Sequence, residues 1–182
     1  MSDHHHLAGS SEPEPFPLDA FGDVVDANRS FAAEFDALGL TGTARRGLAI
    51  VTCMDSRINP LAVVGMDFGD VKILRNAGAR VTEDVLRTLV LATYLLGVTR
   101  VLVMPHTDCA MSNNDEATLH ARIANEFGVD TRSLEFRTTA HPRDALISDV
   151  IRIRSFPLLP DNVVVAGAFY DVTTGLLTPV DC

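Results

Sequence analysis

Four short runs constrain this chain more than anything else in it: "GLAIVTC" (residues 47–53), "VKILRNA" (71–77), "RVLVMPH" (100–106) and "NVVVAGAFY" (162–170). Each is rich in Val, Ile and Leu and too continuous in hydrophobicity for a strand with one wet face. That texture belongs to central parallel strands covered on both sides. Helical patterns lie between the runs. The clearest starts at Thr82, an N-cap with Glu83 and Asp84 in the first turn, and continues through Val85, Leu86, Leu89, Val90 and Leu96 to a stop at Gly97. Further helices are predicted over about residues 114–127 and 143–154. Residues 21–38, where Phe21, Val24, Val25, Phe31, Phe35 and Leu38 recur at roughly helical spacing, predict one amphipathic helix or two short ones. Near the end, "DVTTGLLTPV" with Gly175 at its turn predicts a hairpin return. Strands alternating with helices imply an α/β fold, a central mostly parallel sheet flanked by helices and wound by right-handed crossovers.

A chain of 182 residues with 47% hydrophobic residues suffices for one cored domain. We expect that domain over residues 21–182. The preceding stretch, "MSDHHHLAGSSEPEPFPLDA", is polar and aperiodic, so residues 1–20 are expected to be a disordered or loosely docked arm. Its His4, His5 and His6 read as a solvated tail rather than a metal tract. The net charge of −9 argues against nucleic acid or an anionic membrane as partner, since both demand clustered cations. No apolar run reaches the roughly 20 residues that span a bilayer, and no export signal precedes the domain. Three cysteines make an odd number without a disulfide pattern. A cytoplasmic protein with free or metal-bound thiolates and a small-molecule substrate is the expectation.

In open α/β sheets ligands bind beyond the carboxyl ends of the strands. Two of those ends carry unusual residues. The first run leads into Cys53-Met54-Asp55-Ser56-Arg57, where extended geometry would put Cys53, Asp55 and Arg57 on one side. The third leads into "MPHTDCAM", where His106 and Cys109 are spaced to share one side of a turn. If the two strands are neighbours, Cys53, His106 and Cys109 converge. Two thiolates and an imidazole suit tetrahedral zinc with one position left for water or substrate, the arrangement of catalytic zinc. Two thiolates also cancel the charge of the ion, so its water is less acidified than on a three-histidine site and needs help from neighbouring groups. Asp55 can accept a hydrogen bond there, and the Arg57 fork can keep that carboxylate ionised and off the metal.

"CMDSR", then "RNAGAR", then "HTDCAM" resemble the β-class carbonic anhydrases, especially their short bacterial forms. The likeness is strong over residues 47–111, and "NVVVAGAFYDVTTG" is similar to the family's closing strand and hairpin. The resemblance implies zinc held by Cys53, His106 and Cys109, with Asp55 and Arg57 as catalytic dyad. It also implies reversible hydration of carbon dioxide to bicarbonate and a proton, and a homodimer or higher homo-oligomer with sites near the subunit interface. Ala110 stands where the family often has glycine, and Pro105 offers no amide hydrogen before the histidine. The "RNAGAR" loop shapes the pocket through Gly78 or is only a strand-to-helix turn. His120 and His141 carry no mark of a proton shuttle, and Cys182 reads as an uninvolved thiol.

Other functions stay open on sequence. Hydrolases of carbonyl sulfide or carbon disulfide share this scaffold, by resemblance. A catalytically silent zinc-binding sensor or assembly module is disfavoured by Asp55 and Arg57, and a cysteine-nucleophile enzyme by the chelating spacing of His106 and Cys109.

Overall fold

The computed structural model describes residues 14–36 and 39–182, so His4, His5, His6 and Leu38 lie outside the described residues. The chain falls into two compact units, one ending at Gly39 and the other formed by Leu40–Cys182. In the first unit, helix α1 (Leu18–Glu34) takes in the last residues assigned to the arm and ends before Phe35 turns to extended backbone. It buries none of its residues.

The second unit is a five-stranded sheet of order β2-β1-β3-β4-β5, comprising β1 (Leu48–Cys53), β2 (Val71–Asn76), β3 (Arg100–Met104), β4 (Val164–Tyr170) and β5 (Leu177–Val180). The first four run parallel, and β5 returns antiparallel to β4 as the hairpin. Every residue of β1 is buried, as its unbroken apolar run demands. On one face of the sheet Ala49, Val51, Val101 and Val103 meet Leu86 and Leu89 of α3 (Glu83–Leu95) and Leu146 and Val150 of α6 (Pro142–Arg154). On the other, Leu48, Ile50 and Met104 pack with Ile58 and, at the margin, Val63 of α2 (Pro60–Val63) and Leu177. β2 departs from the expectation of a central strand. It occupies the sheet edge and is only half-buried, because among the described residues it has a strand neighbour on one side alone.

Helix boundaries follow local chemistry. The Thr82 hydroxyl accepts a hydrogen bond from the Val85 amide and starts α3. The helix expected over about residues 114–127 is α5 (Glu116–Phe127), and the short α4 (Ala110–Asn113) precedes it. Asp115 breaks them apart by capping α5 through Thr118 N–H, and Gly128 ends α5 in the left-handed conformation. No helix of the described residues is long and apolar enough to cross a membrane.

The register aligns the carboxyl ends of the central strands, pairing Cys53 with Asn76 and Thr52 with Met104. Chain connections leave β1 toward β2 on one side and β3 toward β4 on the other. The strand order thus reverses between β1 and β3, where a crevice for ligands opens in such sheets.

Candidate active site

The three candidate ligands meet at that reversal point. Cys53 is the last residue of β1, His106 follows β3 and bridges to Tyr170, and Cys109 is the N-cap of α4. All are buried, and their ligand atoms lie within 4.8 Å of one another. The imidazole is aimed by its neighbours. A carbonyl can only accept, so His106 Nδ1 carries the proton and donates to Thr107 C=O at 2.8 Å. That leaves Nε2 as a lone pair, buried and without a hydrogen-bond partner. A buried bare lone pair is costly unless something binds it. Two sulfurs and this nitrogen form a donor set suited to zinc, so the residues fit the metal that the sequence implies.

The two sulfurs share one proton. The Cys109 thiol donates to Cys53, and this contact, reinforced by the Gly78 amide at 3.4 Å, lowers the Cys53 thiol well below its ordinary range against the opposing effect of burial. The same contact, together with burial, pushes Cys109 up. Gly78 owes its position to a 3₁₀ turn (Ala77–Ala79) after β2, in which it takes φ +77°. A Cβ there would come within 3.1 Å of Met111 Cβ. The "RNAGAR" loop is therefore more than a connection: it delivers an amide to a ligand sulfur.

Asp55 and Arg57 are adjacent, but not by strand alternation. The strand stops at Cys53, and Asp55 forms a turn in which its Oδ1 accepts from the Arg57 main-chain amide at 2.9 Å. Short polar side chains compete with the strand ladder in this way. Arg57 then folds back, its Nε donating to Asp55 Oδ1 at 2.9 Å and Nη2 to Oδ2 at 2.7 Å. This bidentate grip holds the Asp55 carboxyl far below the usual carboxylate range and raises the guanidinium above its own. Asp55 Oδ2 lies 3.7 Å from His106 Nε2, at the open side of the ligand cluster.

Two residues escaped the sequence reading. Arg75, near the end of β2, donates to the main-chain carbonyls of Cys53 at 2.9 Å and Asp55 at 2.7 Å, bracing the loop that carries Asp55 and Arg57. Asp108 accepts from Arg57. A cation one residue before the end of a strand and an acid between two ligands were the available signals. Among the described residues, His106 with Cys53 and Cys109 is the one cluster that could hold a metal. His120 instead pairs with Thr131 Oγ1 and Glu116, and Cys182 turns to the Val180 carbonyl.

The carbonic anhydrase family model matches residues 48–177 of this chain, a span that contains every site residue above. The chain belongs to the carbonic anhydrase family. Its β-class standing follows from its similarity to beta-carbonic anhydrase 1 of Mycobacterium tuberculosis, 34% identical over 140 residues that cover 73% of this chain and 81% of the relative. The crystal structure of the carbonic anhydrase from Streptococcus mutans superposes with a TM-score of 0.84 at 32% identity, covering 92% of this carbonic anhydrase family chain and 100% of that one. A carbon disulfide hydrolase of Saccharolobus solfataricus is 30% identical over 152 residues, covering 71% of this chain and 74% of the relative.

Proposed function

We propose that this member of the β-carbonic anhydrase family catalyses the zinc-dependent reversible hydration of carbon dioxide to bicarbonate and a proton. The observation that carries the reading is the convergence of Cys53, His106 and Cys109 at the β1–β3 reversal with Asp55 Oδ2 only 3.7 Å from the histidine nitrogen. In this reading Cys53, His106 and Cys109 hold zinc, and Asp55 with Arg57 forms the catalytic dyad. A zinc ion held there would supply Lewis acidity that makes water a better nucleophile. Thr107 C=O keeps His106 in the tautomer that ligates. Gly78 N–H stabilises negative charge on Cys53. Asp55, ionised through its pairing with Arg57, accepts the hydrogen bond of the attacking oxygen and turns its lone pair toward carbon dioxide. Arg57 keeps the carboxylate available for that role by occupying both of its oxygens.

The same constellation would serve another small linear electrophile, and the carbon disulfide hydrolase relative makes that the second reading. Metal analysis joined to stopped-flow carbon dioxide hydration tests the first. Near-stoichiometric zinc with rapid turnover supports it. Zinc with no carbon dioxide turnover but hydrogen sulfide release from carbon disulfide supports the second, and zinc with neither supports a silent zinc-binding module.

The assembly belongs to the same proposal. Phe21 and Val24 of α1 lie on an apolar stripe, and both are exposed within the chain. A second copy would cover them, so a homodimer or a multiple of it is expected, in the reducing cytoplasm where the thiols stay free for metal. Light scattering that gave an active monomer unaffected by dilution would remove this part.

A further inference from the structure

Resting on the proposed role of Arg57 and extending it, we propose that Asp108 is a positioning residue that fixes the Arg57 guanidinium beside Asp55. A guanidinium carries five N–H donors in a rigid fork. Nε and Nη2 are given to Asp55, as described above. The other side of the fork belongs to Asp108: Nη1 donates to its carboxylate Oδ2 at 2.9 Å and Nη2 to its main-chain carbonyl at 3.0 Å. Asp55 and Asp108 therefore share the cation without competing for a hydrogen.

Asp108 is itself built for the contact. Its φ is +54°, a conformation that side chains other than glycine seldom take and that Asp and Asn tolerate best. Carboxylate and carbonyl of this one residue thereby reach the same guanidinium. Asn113 buttresses it, donating from Nδ2 to Asp108 Oδ1 at 3.1 Å. The residue sits between His106 and Cys109, so it couples the loop after β1, which carries the dyad, to the loop after β3, which carries two ligands.

An exposed ion pair contributes little by itself, because solvent screens it and ordering long side chains costs entropy. Asp108 is well exposed, and its effect is accordingly one of position. With Asp55 alone holding it, the flexible arginine stem would lose its anchor each time the carboxylate moved. Gripped on both sides, the cation stays where Asp55 returns to it.

The test uses the full-length zinc-loaded protein with two substitutions. Asp108→Gly removes the carboxylate but keeps the carbonyl and relieves the backbone. Asp108→Asn keeps an acceptor oxygen and tolerates the same φ. Hydrogen exchange of the Arg57 Nε–H, followed by 15N NMR, reads the position of the guanidinium apart from turnover. In Asp108→Gly that exchange should accelerate about tenfold and kcat should fall about tenfold with KM little changed, as for a misplaced group acting in the transition state. Asp108→Asn should bring both back to within about threefold of the parent protein, since position and not charge is what it restores. Unchanged Arg57 exchange in Asp108→Gly overturns the inference, as does an Asp108→Asn protein indistinguishable from Asp108→Gly. Arg57→Ala measured alongside separates the two readings: full turnover there would remove Arg57 from the proposed function, while the exchange data would still decide whether Asp108 holds it.

Discussion

Asp55 Oδ2 stands 3.7 Å from His106 Nε2 and 2.7 Å from Arg57 Nη2, so one carboxylate oxygen is placed between the nitrogen offered to a metal and the cation that restrains it. The first position favours a fourth bond to the metal. The second opposes it. Which prevails depends on the guanidinium, and that makes Arg57 the most informative position to change.

Arg57→Ala should lower kcat by about 100-fold, the scale of losing a group that orients the reaction. Without the fork, Asp55 is free to turn toward the metal, and a crystal structure of the zinc-loaded variant should show a carboxylate oxygen about 2.0–2.2 Å from zinc. Hydroxide, the competing anion, grows scarcer as pH falls, so the loss should be greatest at low pH and shrink as pH rises. A variant with the parent pH profile would reduce Arg57 to a structural partner.

Cys109→Ser should weaken zinc binding by more than the roughly 100-fold that loss of an outer hydrogen-bond partner costs. Serine leaves a hydroxyl that can still donate to Cys53, but that hydroxyl stays protonated near neutral pH, so the loss falls on the metal, which is left with one thiolate in place of two. Metal content after dialysis against a mild chelator checks this. Full zinc occupancy together with full activity would refute the assigned coordination.

Much of the sheet could be read in advance because its signal is collective. An unbroken apolar run such as Leu48–Val51 needs cover on both faces, whatever its neighbours are. The ligand set was legible for a related reason, since Cys53, His106 and Cys109 stand at strand ends that parallel pairing must bring together. Edge placement of β2 was not, because Val71, Ile73 and Leu74 look alike in a central or an edge strand until the strand order is known. The Asp55–Arg57 pair was assigned correctly as neighbours for the wrong geometric reason: a turn closed by side-chain bonds replaced strand alternation. Asp108 had no periodic signature at all. Its contact with Arg57 depends on a single left-handed residue, and φ at one position leaves little trace in sequence.

Glu116 supplies a pH test away from the metal. Burial raises its carboxyl pKa, but the Phe136 and Thr138 amides, donating at 3.2 and 3.3 Å, outweigh this and lower it. A carboxylate whose folded pKa is depressed stabilises the protein above its unfolded value, near 4.3, and that contribution is lost as pH falls through the folded value. Glu116→Gln should therefore melt below the parent protein at pH 7, and the gap should narrow toward about pH 3.5. Thermal scans of both proteins at the two pH values check the sign, and a gap that widened in acid would contradict it.

Gly78→Ala tests whether the turn after β2 serves the ligand or only the chain path. Two costs arise together. The backbone at φ +77° disfavours any Cβ, and the new methyl would press on Met111 Cβ from 3.1 Å. The conformational part alone is worth about 1–2 kcal/mol, equivalent to a melting temperature lower by about 2–8 °C in a domain of this size. If the turn relaxes to relieve the strain, its amide moves off Cys53 Sγ, now 3.4 Å away, and the thiolate loses a donor. Zinc affinity should then fall by about 10-fold, within the range seen when a ligand loses an outer partner. Measuring both quantities separates the roles. A lowered melting temperature with unaltered zinc affinity would mean that Gly78 shapes the turn without tuning the sulfur, whereas a loss in both would tie the loop to the metal.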